Sequence, residues 1–285
     1  MSGVTTLAAG RTGGGRPWAP VSRWVRSRRG AVVAFVLLWL ACWQVVVPLL
    51  PTRLVPLPAE VASFMWDELR GDTLAPDTVY VAFAITLGRL AVGFALAVAV
   101  GVPIGLLMGL SLRVEAFLRD FVVVLLTMPY LVWALILSMW LGFGSLAPVL
   151  TVTLSSTPFI VLNVWEGVRD VPRDLIDMGR SFEMPRRRMI RHVIMPSQMP
   201  FLFAAMRYGL ANGWKGVVVA EVFAAANGAG WTIRYWYDAH RAYGVIGYAL
   251  FFVLFSLALE RLVFGTLSKM VFRWRPSIAQ QPAAT

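Results

Sequence analysis

Residues 121–165 read FVVVLLTMPYLVWALILSMWLGFGSLAPVLTVTLSSTPFIVLNVW and contain no Asp, Glu, Lys or Arg. A helix needs about 20 apolar residues to cross a hydrocarbon core, so the stretch is long enough for two crossings. Gly142-Phe143-Gly144-Ser145 marks the hairpin between them, because clustered glycines punctuate a helical pattern. Outward from it, residues 79–112 are apolar apart from Arg89, and residues 31–50 are free of charge. Two largely apolar runs, 199–226 and 243–267, bring the expected crossings to six. The composition agrees: of 285 residues 58% are hydrophobic and 14% charged, with mean hydropathy +0.69. A soluble domain carries about 25% charged residues. The expected fold is therefore an all-α membrane protein of about six transmembrane helices.

The charges then orient it. The net charge is +11, with 24 Arg and 2 Lys. Residues 1–30 hold six Arg and no acid, and read as a disordered, solvated arm. The arm and the apolar run together read as an uncleaved anchor rather than a signal peptide, since the run is long and Val47-Pro48-Leu49 is a poor small-residue cleavage site. With the N-terminus inside, 18 cations fall in cytoplasmic segments, 4 outside and 4 within spans. Loop cations accumulate on the cytoplasmic side, so both termini are expected inside. The basic balance is then a topology signal rather than a nucleic-acid surface. The division is a cytoplasmic basic arm (1–30), a first transmembrane helix (31–50) and an external segment (51–78). A five-helix core (79–268) containing the loop 166–196 and a cytoplasmic tail (269–285) complete it.

The chain lacks the residues for chemistry of its own. Gly209 to Lys215 is the nearest string to a phosphate-cradling loop, and its glycines are too close together. His192 and His240 fall on opposite sides of the membrane, and Cys42 is remote from both. No catalytic set and no metal site is expected.

The loop 166–196 is a candidate docking element. Pro172 and Asp174 suit a helix start. Leu175, Met178 and Phe182 recur at i, i+3, i+7 as one apolar stripe, and Pro185 ends it. A second helix from about Arg186 leads into a span near Pro196. A short stripe ringed by charge suits a partner's groove, and equally an interfacial helix among headgroups.

This loop resembles the coupling ("EAA") loop of permease subunits of binding-protein-dependent ABC importers. Asp177 matches its acid, Gly179 a small position, Val193 and Met195 its apolar pair, and Pro196 its terminal proline. Met178 replaces an alanine, and Glu183 stands where the family usually has glycine. The segments Thr86-Leu87-Gly88-Arg89, Met128-Pro129, Trp140-Leu141-Gly142, Asn163 with Gly167-Val168, and Val219-Ala220-Glu221 resemble the nitrate, sulfonate and taurine branch of type I importers. So do Gly228-Ala229-Gly230 and Arg273-Trp274-Arg275. The resemblance covers residues 55–275 and implies a bacterial inner-membrane permease working as a dimer of two copies. It implies an ATP-binding cassette subunit docked on Asp174, Leu175, Asp177, Met178, Gly179, Phe182, Glu183, Arg186 and Pro196. An extracytoplasmic binding protein would deliver substrate, with ATP and magnesium held by the partner subunit and no cofactor here.

Charges inside spans are the candidates for a translocation path. Each costs about 2.5–3.5 kcal/mol at mid-bilayer, so each needs a partner or water. Arg207, Trp214, Lys215 and Glu221 share one span and fall on one broad face, with Arg207 and Glu221 about 21 Å apart along the axis. Arg89, Trp133 and Asn163 complete the set. Two uses stay open: a path that attracts an anion, or structural pairing, for example of Glu221 with Arg89. Gly101, Gly105 and Gly109 are four apart and read as a helix-packing stripe. The expected function is uptake of a small organic or inorganic anion by alternating access. An uncharged heterocycle such as a vitamin precursor is the alternative substrate, and a non-transporting membrane scaffold the alternative class.

Overall fold

The computed structural model describes residues 28–49 and 55–265. The basic arm up to residue 27 and the expected cytoplasmic tail lie outside the described residues. The chain forms two compact units, Met1–Glu60 and Val61–Thr285. In the first, α1 (Arg28–Val46) tightens into a 3-10 turn over Val47–Leu49. Pro48 explains the change, having no N–H with which to continue the α-helical ladder.

In the second unit, α2 (Pro58–Arg70) lies within the segment expected to be external. It is amphipathic, burying Val61, Phe64 and Glu68 at i, i+3, i+7. The long α3 (Val79–Leu110) follows. Next come α4 (Leu112–Thr127) and α5 (Tyr130–Leu141), then α6 (Leu146–Arg169) and the loop helix α7 (Arg173–Ser181). A short helical stretch with a π-turn at Ile190–Ile194 leads into α8 (Met199–Ala224). The chain closes with α9 (Ala229–Asp238) and α10 (Ala242–Leu259).

The centre of this unit is α6, packed between α3 and α8. The glycine stripe makes that approach possible. A Cβ on Gly101 would lie 2.9 Å from Ile160 Cγ2, and one on Gly105 2.7 Å from the Val161 carbonyl. Gly93 extends the stripe, its Cβ position lying 2.6 Å from the Val149 carbonyl. At this spacing, α6 hydroxyls reach neighbouring backbones: Thr153 Oγ1 donates to the Gly93 carbonyl at 3.1 Å and Ser156 Oγ to that of Gly209 at 2.9 Å. On the outside, α3 and α10 expose Val92, Leu96, Val100, Val253, Leu254 and Leu257. An apolar exterior over hydroxyl-rich helix contacts is the inverse of a soluble bundle.

Among the described residues four single helices are long and apolar enough to cross a membrane, and the number rises to six if each of two bent pairs is one span. The bends depart from the straight spans expected. Helices α4 and α5 meet at 93°. Pro129 is the cause: it lacks an N–H, and it holds Met128 extended at φ −67°, ψ 121°. Helices α8 and α9 meet at 47° through Ala225–Gly228. The segment after the bend is therefore helical, and Trp236 within it is 2% exposed in the core.

Candidate functional site

Two features gather the residues singled out in the sequence. The first is a buried polar knot. Arg89 projects from α3 and Glu221 from the last turn of α8, and Arg89 Nη1 donates to Glu221 Oε1 at 2.7 Å. Neither is more than 5% exposed. The remaining guanidinium protons go to Ser145 Oγ, at 3.2 Å from Nε and 3.1 Å from Nη2, and to Asn227, whose carbonyl lies 2.8 Å from Nη1. Glu221 Oε2 accepts from Thr86 Oγ1 at 2.7 Å and from the Gly230 N–H at 2.9 Å, and Thr86 Oγ1 accepts from the Ala229 N–H. Every charge in the knot is met, as burial requires. Gly228 sits at φ +101°, and a Cβ there would lie 2.6 Å from Glu221 Oε1. The knot thus ties α3, the 142–145 hairpin, the end of α8 and the start of α9 at one end of the bundle.

The other intramembrane candidates separate by burial. Trp214 is buried in an aromatic cluster, stacked on Phe255 at 5.1 Å and tilted against Phe252 at 5.2 Å. Arg207 is exposed and pairs with Glu260, a partner not foreseen because it lies in the next crossing. Lys215 is exposed and has no carboxylate partner among the described residues. Trp133 and Asn163 are half-buried; Asn163 Nδ2 donates to the Phe159 carbonyl at 2.8 Å, and Trp133 Nε1 is buried without a partner. The four residues of α8 therefore do not share one exposed face: Trp214 and Glu221 point into the bundle, Arg207 and Lys215 out of it.

The second feature is the loop helix. Pro172 caps α7 rather than opening it. Leu175, Met178 and Phe182 are 37%, 52% and 76% exposed, an apolar stripe with nothing packed over it. Asp174 stands in the first turn and Asp177 pairs with Arg180 at 3.3 Å on the surface. Gly179 is buried against the end of the Met189 side chain, which a Cβ there would displace. The helix ends in a Schellman turn: the Glu183 N–H reaches the Arg180 carbonyl and the Met184 N–H that of Gly179, both at 2.9 Å. Glu183 takes the left-handed position of that turn, φ +52°. Arg186 and Pro196 are exposed on the return stretch.

Two polar clusters lay beyond sequence reasoning. Glu68, in the segment expected to be external, is 1% exposed and accepts from Thr73 Oγ1 and from Tyr248 Oη at 3.0 Å. Burial pushes its carboxyl above the ordinary 4.5, and the two hydroxyl hydrogen bonds pull partly back. Gln198 is fully buried beside Gly167 and Phe201 with both ends of its amide unpartnered.

Comparison with known proteins agrees with this arrangement. Residues 101–265, which include α6, the loop helix and α8, match the family described as the binding-protein-dependent transport system inner membrane component. A putative aliphatic sulfonates transport permease protein of Bacillus subtilis (strain 168) is 28% identical over 68% of this chain and 69% of its own. A nitrate import permease protein of Synechococcus elongatus is 27% identical over 79% and 84%, and the taurine transport system permease protein of Escherichia coli (strain K12) 26% over 75% and 78%. In fold, the chain is similar to an inward-facing MetNI methionine ABC transporter structure, with a TM-score of 0.59 at 18% identity over 73% of this chain and 98% of that one. Four to six apolar candidate spans, a small-residue helix seam and a match over more than half its length lead to one assignment: the chain belongs to the family of binding-protein-dependent transport system inner membrane components.

Proposed function

We propose that the chain is the permease of an ATP-driven importer that passes a small anion, sulfonate-, taurine- or nitrate-like or a related organic acid, inward by alternating access. The relatives' names favour an anion, and Lys215 carries the reading for this chain. It is an exposed cation in a crossing helix with no carboxylate beside it among the described residues. Facing lipid, it would cost about 2.5–3.5 kcal/mol. Facing water at the interface between two copies of the chain, it would attract an anion. Arg207 stands on the same side of α8 but is partly neutralised by Glu260.

In this reading both termini and the 166–196 loop are cytoplasmic. The stripe Leu175, Met178, Phe182 seats in a groove of a nucleotide-binding subunit, with Asp174, Asp177 and Glu183 at its rim. That subunit holds ATP and magnesium; its closure draws α7 inward and rocks the helices. A binding protein delivers substrate from outside.

The experiment is reconstitution in proteoliposomes with the nucleotide-binding subunit and the binding protein encoded beside this chain. We expect ligand-loaded binding protein to stimulate ATP hydrolysis, and Lys215→Met to abolish uptake while the complex stays assembled. Unchanged uptake affinity and rate in that variant removes the anion role of Lys215. Absence of any stimulated hydrolysis removes the importer reading itself in favour of a scaffold.

A further inference from the structure

We propose that the arginine-rich stretch between the loop turn and α8 binds the phosphate headgroup of an anionic phospholipid. The loop's charges are segregated. All five acids, Glu166, Asp170, Asp174, Asp177 and Glu183, precede residue 184, whereas residues 184–198 carry Arg186, Arg187, Arg188, Arg191 and His192 and no acid. In the structure, these four arginines are exposed, and none pairs with a carboxylate among the described residues. Arg70, Arg113, Arg119, Arg173, Arg241 and Arg261 likewise show no carboxylate partner among the described residues, so what sets this stretch apart is four arginines within six residues and no acid among them. The stretch is a cationic surface left uncompensated.

Its shape argues for a lipid. Two cavities of about 460 Å³ each adjoin here and share Arg191 and Met195. One is lined by Arg186, Arg187 and Ile190, the other by Pro196, Ser197 and Met199. Both are lined mostly by apolar surface, with Arg186 and Arg187 at one end, Met199 at the other and Arg191 between them; Met195 is 40% and Met199 44% exposed. A planar guanidinium fork matches two phosphate oxygens at once. A soluble anion has no use for the methionine floor, whereas a phospholipid lays its first methylenes there. The direction also fits: Met199 opens α8, and Arg191 precedes it by about 12 Å of helical path, within reach of the headgroup layer for so long a side chain. A basic pocket at the membrane end of a crossing helix is a headgroup site on physical grounds. The proposal needs only that α8 enter a bilayer at Met199, so it stands independently of substrate and of which leaflet is met.

The test is native mass spectrometry of the full chain, purified in detergent and titrated with phosphatidylglycerol or phosphatidylcholine of matched acyl chains. The chain is expected to retain the anionic lipid in preference. Each arginine contributes about fivefold near an anionic surface, so Arg187→Gln with Arg191→Gln should weaken retention about 30-fold. Arg187→Lys with Arg191→Lys keeps the charge and loses the fork, so retention should fall less than in the glutamine pair, which separates loss of charge from misfolding. Arg234→Gln with Arg241→Gln, at the other end of the bundle, should change nothing. Equal retention in the glutamine variant overturns the proposal. So does displacement of the lipid by millimolar inorganic phosphate, which marks a soluble-anion site. So does a glutamine variant that keeps its lipid but no longer co-purifies with a nucleotide-binding subunit, which marks a protein interface.

Discussion

At the scale of single residues, the fold turns on groups that burial forces into pairs. Arg89 and Glu221 are both buried, every guanidinium proton of Arg89 has a partner, and both carboxylate oxygens of Glu221 accept hydrogen bonds. Removing one member leaves an uncompensated buried charge, which costs about 3–5 kcal/mol, whereas replacing both by apolar groups is often near neutral. Glu221→Leu should therefore lower the thermal midpoint of the detergent-purified chain more than Arg89→Leu with Glu221→Leu together. A double variant less stable than the single would show that Arg89 does not depend on Glu221 for its burial. Glu68 gives a pH signature. Its carboxyl is raised by burial, so between 4.5 and the raised value the folded chain keeps a proton that the unfolded chain releases. Stability is fullest below 4.5 and falls as pH rises through that window. Glu68→Gln, neutral at every pH and still able to meet Thr73 and Tyr248, should flatten this slope in unfolding measured from pH 4 upward. The pair of Arg89 with Glu221 was one of two readings open in the sequence, because two opposite charges in crossing helices need each other. Ser145 and Asn227 were not legible: they act from turns, at separations of 56 and 138 residues, where no periodicity announces them.

At the scale of elements, the loop turn explains a departure from the family pattern. Glu183 stands at the family's usual glycine position, and the structure puts that position at φ +52°, inside a Schellman turn. Glycine is favoured there because it alone takes the left-handed conformation without a Cβ penalty. For a side-chain residue that conformation costs about 1–2 kcal/mol, of which glycine's greater freedom in the unfolded chain takes back about 0.4–1. Glu183→Gly should therefore stabilise the turn by about 1 kcal/mol or less, seen as slower hydrogen exchange of the amides over 180–184. His240 closes α9 in the same turn at φ +55°, and His240→Gly should move the same way. Faster exchange in Glu183→Gly would mean that the carboxylate itself holds the loop. The apolar stripe beside it was legible, because Leu175, Met178 and Phe182 repeat with the helical period. The 93° bend of α4 and α5 was not: hydropathy reports how much apolar chain there is, not its direction. Only Met128-Pro129 carried a hint, and proline is tolerated within membrane helices elsewhere, as Pro103 in α3 and Pro158 in α6 show.

At the scale of the whole molecule, an all-helical membrane fold follows from composition, since apolar chain in lipid must satisfy its backbone within helices, and four to six helical spans result. The seam between α3 and α6 was legible too, as a run of glycines four apart. The burial of Glu68, Trp236 and Gln198 was not, because each depends on which distant helix arrives beside it. Orientation rests on the distribution of cations and has one decisive test. With Cys42→Ser removing the sole cysteine, Asp238→Cys reports on the end of α9 and Arg188→Cys on the loop, both exposed positions. A membrane-impermeant maleimide applied to intact cells should label the first, and reach the second only after the membrane is broken. The reverse pattern would refute more than the positive-inside assignment. It would place Leu175, Met178 and Phe182 outside, where no ATP-hydrolysing subunit could reach them, and the stripe would lose its partner. The two loops thus stand or fall together: in the proposed importer, a binding protein and an ATP-hydrolysing subunit would have to engage opposite sides of the membrane. The arginine groove beside the loop is free of this constraint, because a headgroup layer is present at both surfaces.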